Sequence, residues 1–126
     1  MSQRILLVDD HEVVRKGIAT LLAPRWDICG EASDGVEAIS KAMELKPDLV
    51  IMDLSMPGMG GTAAARHIRS VMPETKIIFL SMHDSETVVE LTRWAGADGC
   101  VSKRSPATKL NDAIAAVFKA GEKGAD

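Results

Sequence analysis

Five short segments dense in branched apolar residues recur along this chain, separated by stretches of helical periodicity, and that alternation restricts the fold more than any other feature. They lie at Arg4 to Asp9, Ile28 to Ser33, Asp48 to Asp53, Lys76 to Ser81 and Asp98 to Ser102. The first, third and fourth contain the unbroken runs ILLV, LVIM and IIFL, as expected of strands covered on both faces in the middle of a parallel sheet. The second alternates and carries Gly30 and Glu31, and the fifth is short, so both suit edge positions.

Between the strands, apolar residues return at helical spacing. Val14, Ile18, Leu21 and Leu22 precede Pro24, and Val36, Ile39 and Met43 precede Pro47. Ala64, Ile68 and Val71 end near Pro73, and Val88, Leu91 and Trp94 lie between an Asp84 or Ser85 cap and Gly96. Leu110, Ile114, Val117 and Phe118 follow Ser105-Pro106, a cap with proline at the first helical position. The order is (βα)5. Right-handed crossovers with helices on both faces then give an α/β fold, an open doubly wound parallel sheet of strand order 2-1-3-4-5.

Charge and composition exclude several functions. Among 126 residues, 15 Lys and Arg stand against 18 Asp and Glu, a net charge of 15 − 18 = −3. No basic field draws this stretch onto nucleic acid or an anionic membrane. Apolar runs such as Ile5 to Val8 and Leu49 to Met52 fall far short of the ~20 residues that span a bilayer. The N-terminus lacks the basic and apolar regions of a secretory signal, so a cytoplasmic chain is expected. Cys29 and Cys100 lack metal-ligand spacing and read as reduced, partly buried thiols. The chain up to residue 119 forms the domain, and the small, glycine-bearing stretch 120–126 reads as the start of a linker.

In an open α/β sheet, ligands bind beyond the carboxyl ends of the strands, where the strand order reverses. Here that point lies between the first and third strands. Asp9 and Asp10 follow the first and Asp53 ends the third, so three carboxylates from distant sequence converge. Two unit charges ~4 Å apart repel by ~4 kcal/mol at an effective dielectric of about 20, and a hard cation of the Mg²⁺ type supplies the counter-charge. The fourth and fifth strands end near Ser81 and Lys103, a hydroxyl and an ammonium, both suited to phosphate oxygens.

Val8-Asp9-Asp10-His11, the stretch Asp53-Leu-Ser-Met-Pro-Gly-Met-Gly-Gly61, Leu80-Ser81-Met-His-Asp84, and Gly96-Ala-Asp-Gly99 followed by Lys103 together resemble the receiver domains of two-component response regulators. That family has a flavodoxin-like (βα)5 fold, and the likeness covers nearly the whole chain. Asp10-His11-Glu-Val-Val-Arg-Lys-Gly17 and Ser81-Met82-His83-Asp84 resemble the NarL/FixJ subfamily, which carries a LuxR-type helix-turn-helix output domain. The resemblance implies that Asp53 accepts a phosphoryl group from a sensor histidine kinase. It implies Mg²⁺ held by Asp9, Asp10, Asp53 and the backbone carbonyl of Ser55, with Lys103 and Ser81 contacting the phosphoryl oxygens. DNA would be reached only through a C-terminal domain outside this stretch, and a homodimer is a further expected partner. In the family an aromatic residue commonly stands three before the lysine; here that place holds Cys100, so His83 or a shift of the loop after the fourth strand would carry the signal.

Competing readings fare worse. Phosphatases of the haloacid dehalogenase type usually place a second Asp two residues after the nucleophile, where this chain has Ser55. A flavodoxin-like electron carrier would need a hydroxyl-rich loop after the first strand, where acids stand instead. A binding module that never becomes phosphorylated draws support from Cys100. Gly58, Gly60 and Gly61 lack the Lys and Ser or Thr of a phosphate-binding loop, and Pro57-Gly58 reads as a turn. His11 reads as a surface residue of a first helical turn, with metal contact or pH sensing as the minor reading. His67 reads as part of a solvated face, and Met43, Met52 and Met72 as core filling. Trp94 fits core packing or a partner surface equally.

Overall fold

The computed structural model describes residues 3–54, 60–82, 86–105 and 107–124 and alternates strand and helix throughout. The order is β1 (Arg4–Val8), α1 (Glu12–Leu22), β2 (Asp27–Ala32), α2 (Gly35–Leu45), β3 (Leu49–Asp53), α3 (Gly61–Val71), β4 (Lys76–Ser81), α4 (Glu86–Ala95), β5 (Gly99–Ser102) and α5 (Ala107–Gly124). All strand pairs are parallel, and the sheet order is β2-β1-β3-β4-β5. The alternating β2 and short β5 stand at the edges, as their sequences lead one to expect.

Successive strand residues point to opposite faces, and the central strands use this period to divide the core. Ile5, Leu7, Leu49, Ile51, Ile78 and Leu80 pack with Leu22 of α1 and Leu110, Ile114 and Val117 of α5. Leu6, Val8, Val50, Met52, Ile77 and Phe79 form the other face with α2, α3 and α4. That second layer is built from small residues: Gly35, Ala38 and Ala42 on α2, and Gly61, Ala64 and Ala65 beside Ile68 on α3, are all buried.

The larger apolar residues of these helices lie further round. Val36 is 64% and Met43 54% exposed, which corrects the reading of Met43 as core filling. Each stands one residue, about 100° of helix, from a small residue that takes the sheet-facing position. Val14, Leu21, Val71 and Leu91 are likewise exposed. Of the other methionines, Met52 is fully buried and Met72 packs partly buried against the same cluster.

Local signals fix the helix ends. Asp34 Oδ1 accepts from the Glu37 backbone N–H, and Glu37 Oε1 accepts from Ser33 N–H, both at 2.8 Å, a reciprocal cap on α2. Lys46 ends α2 in the left-handed conformation (φ 49°) just before Pro47. The last helix runs to Gly124, into the stretch read as linker. Cys29 is half-buried, with a thiol pKa pushed up by desolvation. Cys100, expected to be partly buried, is exposed because β5 is an edge strand. No helix among the described residues is long and apolar enough to cross a membrane.

Candidate phosphoryl and metal site

Three backbone bonds beyond the strands set the site. Asp9 N–H donates to Ala32 O at 3.0 Å, Leu54 N–H to Leu80 O at 3.0 Å, and Lys103 N–H to Ser81 O at 2.7 Å. They carry the ladder past the ends of β1, β3 and β5, so the residues there are held like strand residues. The first turn of α3 seals the end of β3: a Cβ at Gly61 would collide with the Asp53 carbonyl oxygen and lie 3.1 Å from Met52 Cγ.

Asp9, Asp10 and Asp53 come together as expected, and His11 joins them, each offering a ligand atom within 4.8 Å of the others. Asp9 is 2% and Asp53 0% exposed. Lys103 Nζ lies 2.9 Å from Asp9 Oδ2 and 3.2 Å from Asp53 Oδ2. Burial works against its charge, but the hydrogen bond to Asp9 and the charges of Asp53 and Asp9 outweigh it, so its pKa is raised above the ordinary 10.5. Among the described residues Lys103 thus serves two of the three carboxylates, and Asp10 is met by His11 instead.

Asp9 Oδ1 accepts from the His11 backbone N–H at 2.9 Å, while the buried Asp10 Oδ1 accepts no hydrogen bond among the described residues. Closely spaced oxygen donors, more carboxylates than ammonium groups and a buried carboxylate oxygen that accepts no hydrogen bond among the described residues fit a hard divalent cation. Ser81, 3% exposed, is the last residue of β4. Ser55 and His83, expected to supply a metal-binding carbonyl and a signal route, lie outside the described residues.

Sequence reasoning missed Arg15. Its guanidinium donates to the Asp9 carbonyl at 2.8 Å and to Glu31 Oε1 at 2.7 Å, tying the acidic loop to the edge strand. Lys16 reaches Glu31 Oε2 at 3.1 Å. The Arg15 hydrogen bond, with Lys16, outweighs partial burial and lowers the Glu31 pKa. Two signals pointed there: Arg15 stands one turn after His11, and Glu31 interrupts the otherwise small or apolar run from Ile28 to Ala32. The two alternatives for Trp94 resolve toward the surface, since it is 55% exposed with the Arg66 guanidinium 4.3 Å over its ring. His67, next to Arg66 in the chain, is exposed, as expected.

An acidic crevice at the reversal point of a 2-1-3-4-5 sheet, with a lysine reaching in from β5, defines a receiver-type domain. Residues 5–115 match the response regulator receiver domain family, and the chain belongs to it. The response regulator protein VraR of Staphylococcus aureus is 40% identical over 116 residues, a match covering 90% of this chain and 56% of that protein. The chain thus spans just over half the length of that relative. Among solved structures, a LuxR-family two-component response regulator from an Aurantimonas species superposes with a TM-score of 0.90 at 38% identity, covering 95% of this chain and 87% of that one. The signal receiver domain of the response regulator NarL of Mycobacterium tuberculosis gives 0.84 at 30% identity, covering 96% and 97%.

Proposed function

We propose that this receiver domain is a phosphorylation switch in which Asp53 accepts a phosphoryl group from the phosphohistidine of a sensor kinase. A carboxylate oxygen of Asp53 forms the bond to phosphorus as the phosphorus–nitrogen bond to the kinase imidazole breaks. Asp9, Asp10 and Asp53, with the Ser55 carbonyl, would hold Mg²⁺, which when bound offsets negative charge on the transferring group. Lys103 pairs with one phosphoryl oxygen, and the Ser81 hydroxyl donates to another. The observation that carries the reading is Lys103 shared between buried Asp9 and Asp53, beside an Asp10 oxygen with no hydrogen bond among the described residues.

Phosphorylation removes Lys103 from part of its present duty and adds contacts at the ends of β4 and β5. Hydrogen bonds to charged groups contribute about 1.5–3 kcal/mol each, while full conversion from 1:99 to 99:1 needs about 5.5 kcal/mol. A partial shift of population follows. The route outward runs through His83 or the loop after β4, because Cys100 stands where an aromatic would turn. The likeness to LuxR-family regulators supports a DNA-binding output domain after residues 120–126, a homodimer on activation, and action in the cytoplasm. Beyond its own phosphorylation and hydrolysis, the domain turns over no outside substrate.

The test is incubation with acetyl phosphate and Mg²⁺ followed by intact-mass measurement. A stable gain of about 80 Da, one phosphoryl group, is expected in the native chain and not in Asp53→Asn. Steady phosphate release without an adduct, or an undiminished adduct in Asp53→Asn, would overturn the proposal.

A further inference from the structure

We propose that His11 is a metal ligand and that, with Asp9 and Asp10, it makes the acidic crevice a mixed imidazole and carboxylate site for a divalent first-row transition ion of the Zn²⁺ type. This rests on the reading of the crevice as a cation site and extends it to a second class of ion.

His11 occupies the N-cap of α1, yet its side chain makes no capping bond. The ring turns to the acids instead: Nδ1 lies 3.1 Å from Asp10 Oδ1 and 3.4 Å from Asp9 Oδ1. Both contacts suit an ion pair with a protonated ring, and they are equally the separations of neighbouring ligands around one ion, because metal–ligand bonds of about 2.0–2.2 Å put adjacent donor atoms roughly 2.8–3.6 Å apart in octahedral or tetrahedral geometry. Lys103 engages the other oxygen of Asp9, Oδ2, and leaves Oδ1 on the His11 side. The ring is 65% exposed, so an ion can reach it from solvent. Mg²⁺ prefers oxygen ligands and retains its waters. Imidazole suits Zn²⁺, Ni²⁺ and Cu²⁺ and raises the affinity of a site for them. Such an ion would compete with Mg²⁺ for Asp9 and Asp10.

Calorimetric titration of the native chain and of His11→Gln, with Zn²⁺ alone and with Mg²⁺ alone, tests this. Removing even an outer-shell partner of a metal ligand costs about 10–100-fold in affinity, so loss of the imidazole is expected to weaken Zn²⁺ binding at least about tenfold. Mg²⁺ affinity is expected to change by at most about twofold. In spectra of ¹⁵N-histidine-labelled chain, Zn²⁺ is expected to move the Nδ1 resonance of His11. Equal Zn²⁺ affinity in the two proteins, or shifts confined to His67 and His83, would overturn the role of His11. Asp9→Asn reads the crevice separately: if it left Mg²⁺ binding intact, the cation-site reading itself would fall.

Discussion

The two ends of the sheet both carry aspartates, and they use them in opposite ways. At the amino ends of the strands Asp48 and Asp98 close on the fold. Asp48 Oδ2 accepts the Arg4 N–H at 2.8 Å, and Asp98 Oδ2 accepts the Ile77 N–H at 2.8 Å together with the Arg69 guanidinium. Arg69 also donates to Gly96 O and Pro73 O. At the carboxyl ends one lysine serves two buried aspartates, and a third has an oxygen that accepts no hydrogen bond among the described residues. Incomplete satisfaction, rather than residue type, separates the end proposed to react from the structural one. Size would mislead: a cavity of about 580 Å³ lies at the structural end beside Met43, Lys46, Pro47 and Val71.

Removing the shared cation should break this contrast most severely. Lys103→Met leaves Asp9 and Asp53 facing each other with no counter-charge, and about 3 kcal/mol of stability should be lost. Urea unfolding with and without Mg²⁺ checks this, since the ion should restore part of the deficit. Asp98→Ala should cost about 2 kcal/mol through lost charge-assisted bonds, with no recovery on adding Mg²⁺ and no change in phosphorylation. Equal rescue of both variants would erase the distinction between the two ends. Arg15→Gln should cost less than either, about 1 kcal/mol of stability, with weaker Mg²⁺ binding in titration because the Asp9 loop loses its tether.

The smallest effects come with pH. The raised Lys103 pKa means that its stabilising contribution is fully present below the ordinary 10.5 and lost as pH rises through the folded-state value. The lowered Glu31 pKa gives a contribution present above the ordinary 4.5 and lost as pH falls through its depressed value. Unfolding curves across alkaline pH should therefore decline less in Lys103→Met than in the native chain, and Glu31→Gln should flatten the acid limb.

The strands and their order were legible because unbroken apolar runs mark buried strands and right-handed crossovers leave few topologies. Convergence of Asp9, Asp10 and Asp53 followed from that order alone. Helix faces were less legible: scanning for large apolar residues favoured Val36 and Met43, whereas Gly35, Ala38 and Ala42 take the sheet-facing side, where close helix packing needs small residues. Arg15 with Glu31, and Arg69 with Asp98, join residues 16 and 29 positions apart, and no local pattern announces such pairs. His11 was discounted as a surface residue, and it is exposed, but its ring faces the acids. Cys100 followed the burial typical of cysteine until the edge position of β5 exposed it.

Reductive trapping addresses the assignment of chemistry to the carboxyl ends most directly. After phosphorylation with acetyl phosphate and Mg²⁺, borohydride reduces an aspartyl phosphate to homoserine, and peptide sequencing by mass locates the converted residue. Conversion at Asp53 alone is expected. Conversion at Asp9, Asp10 or Asp48 with Asp53 intact would contradict it.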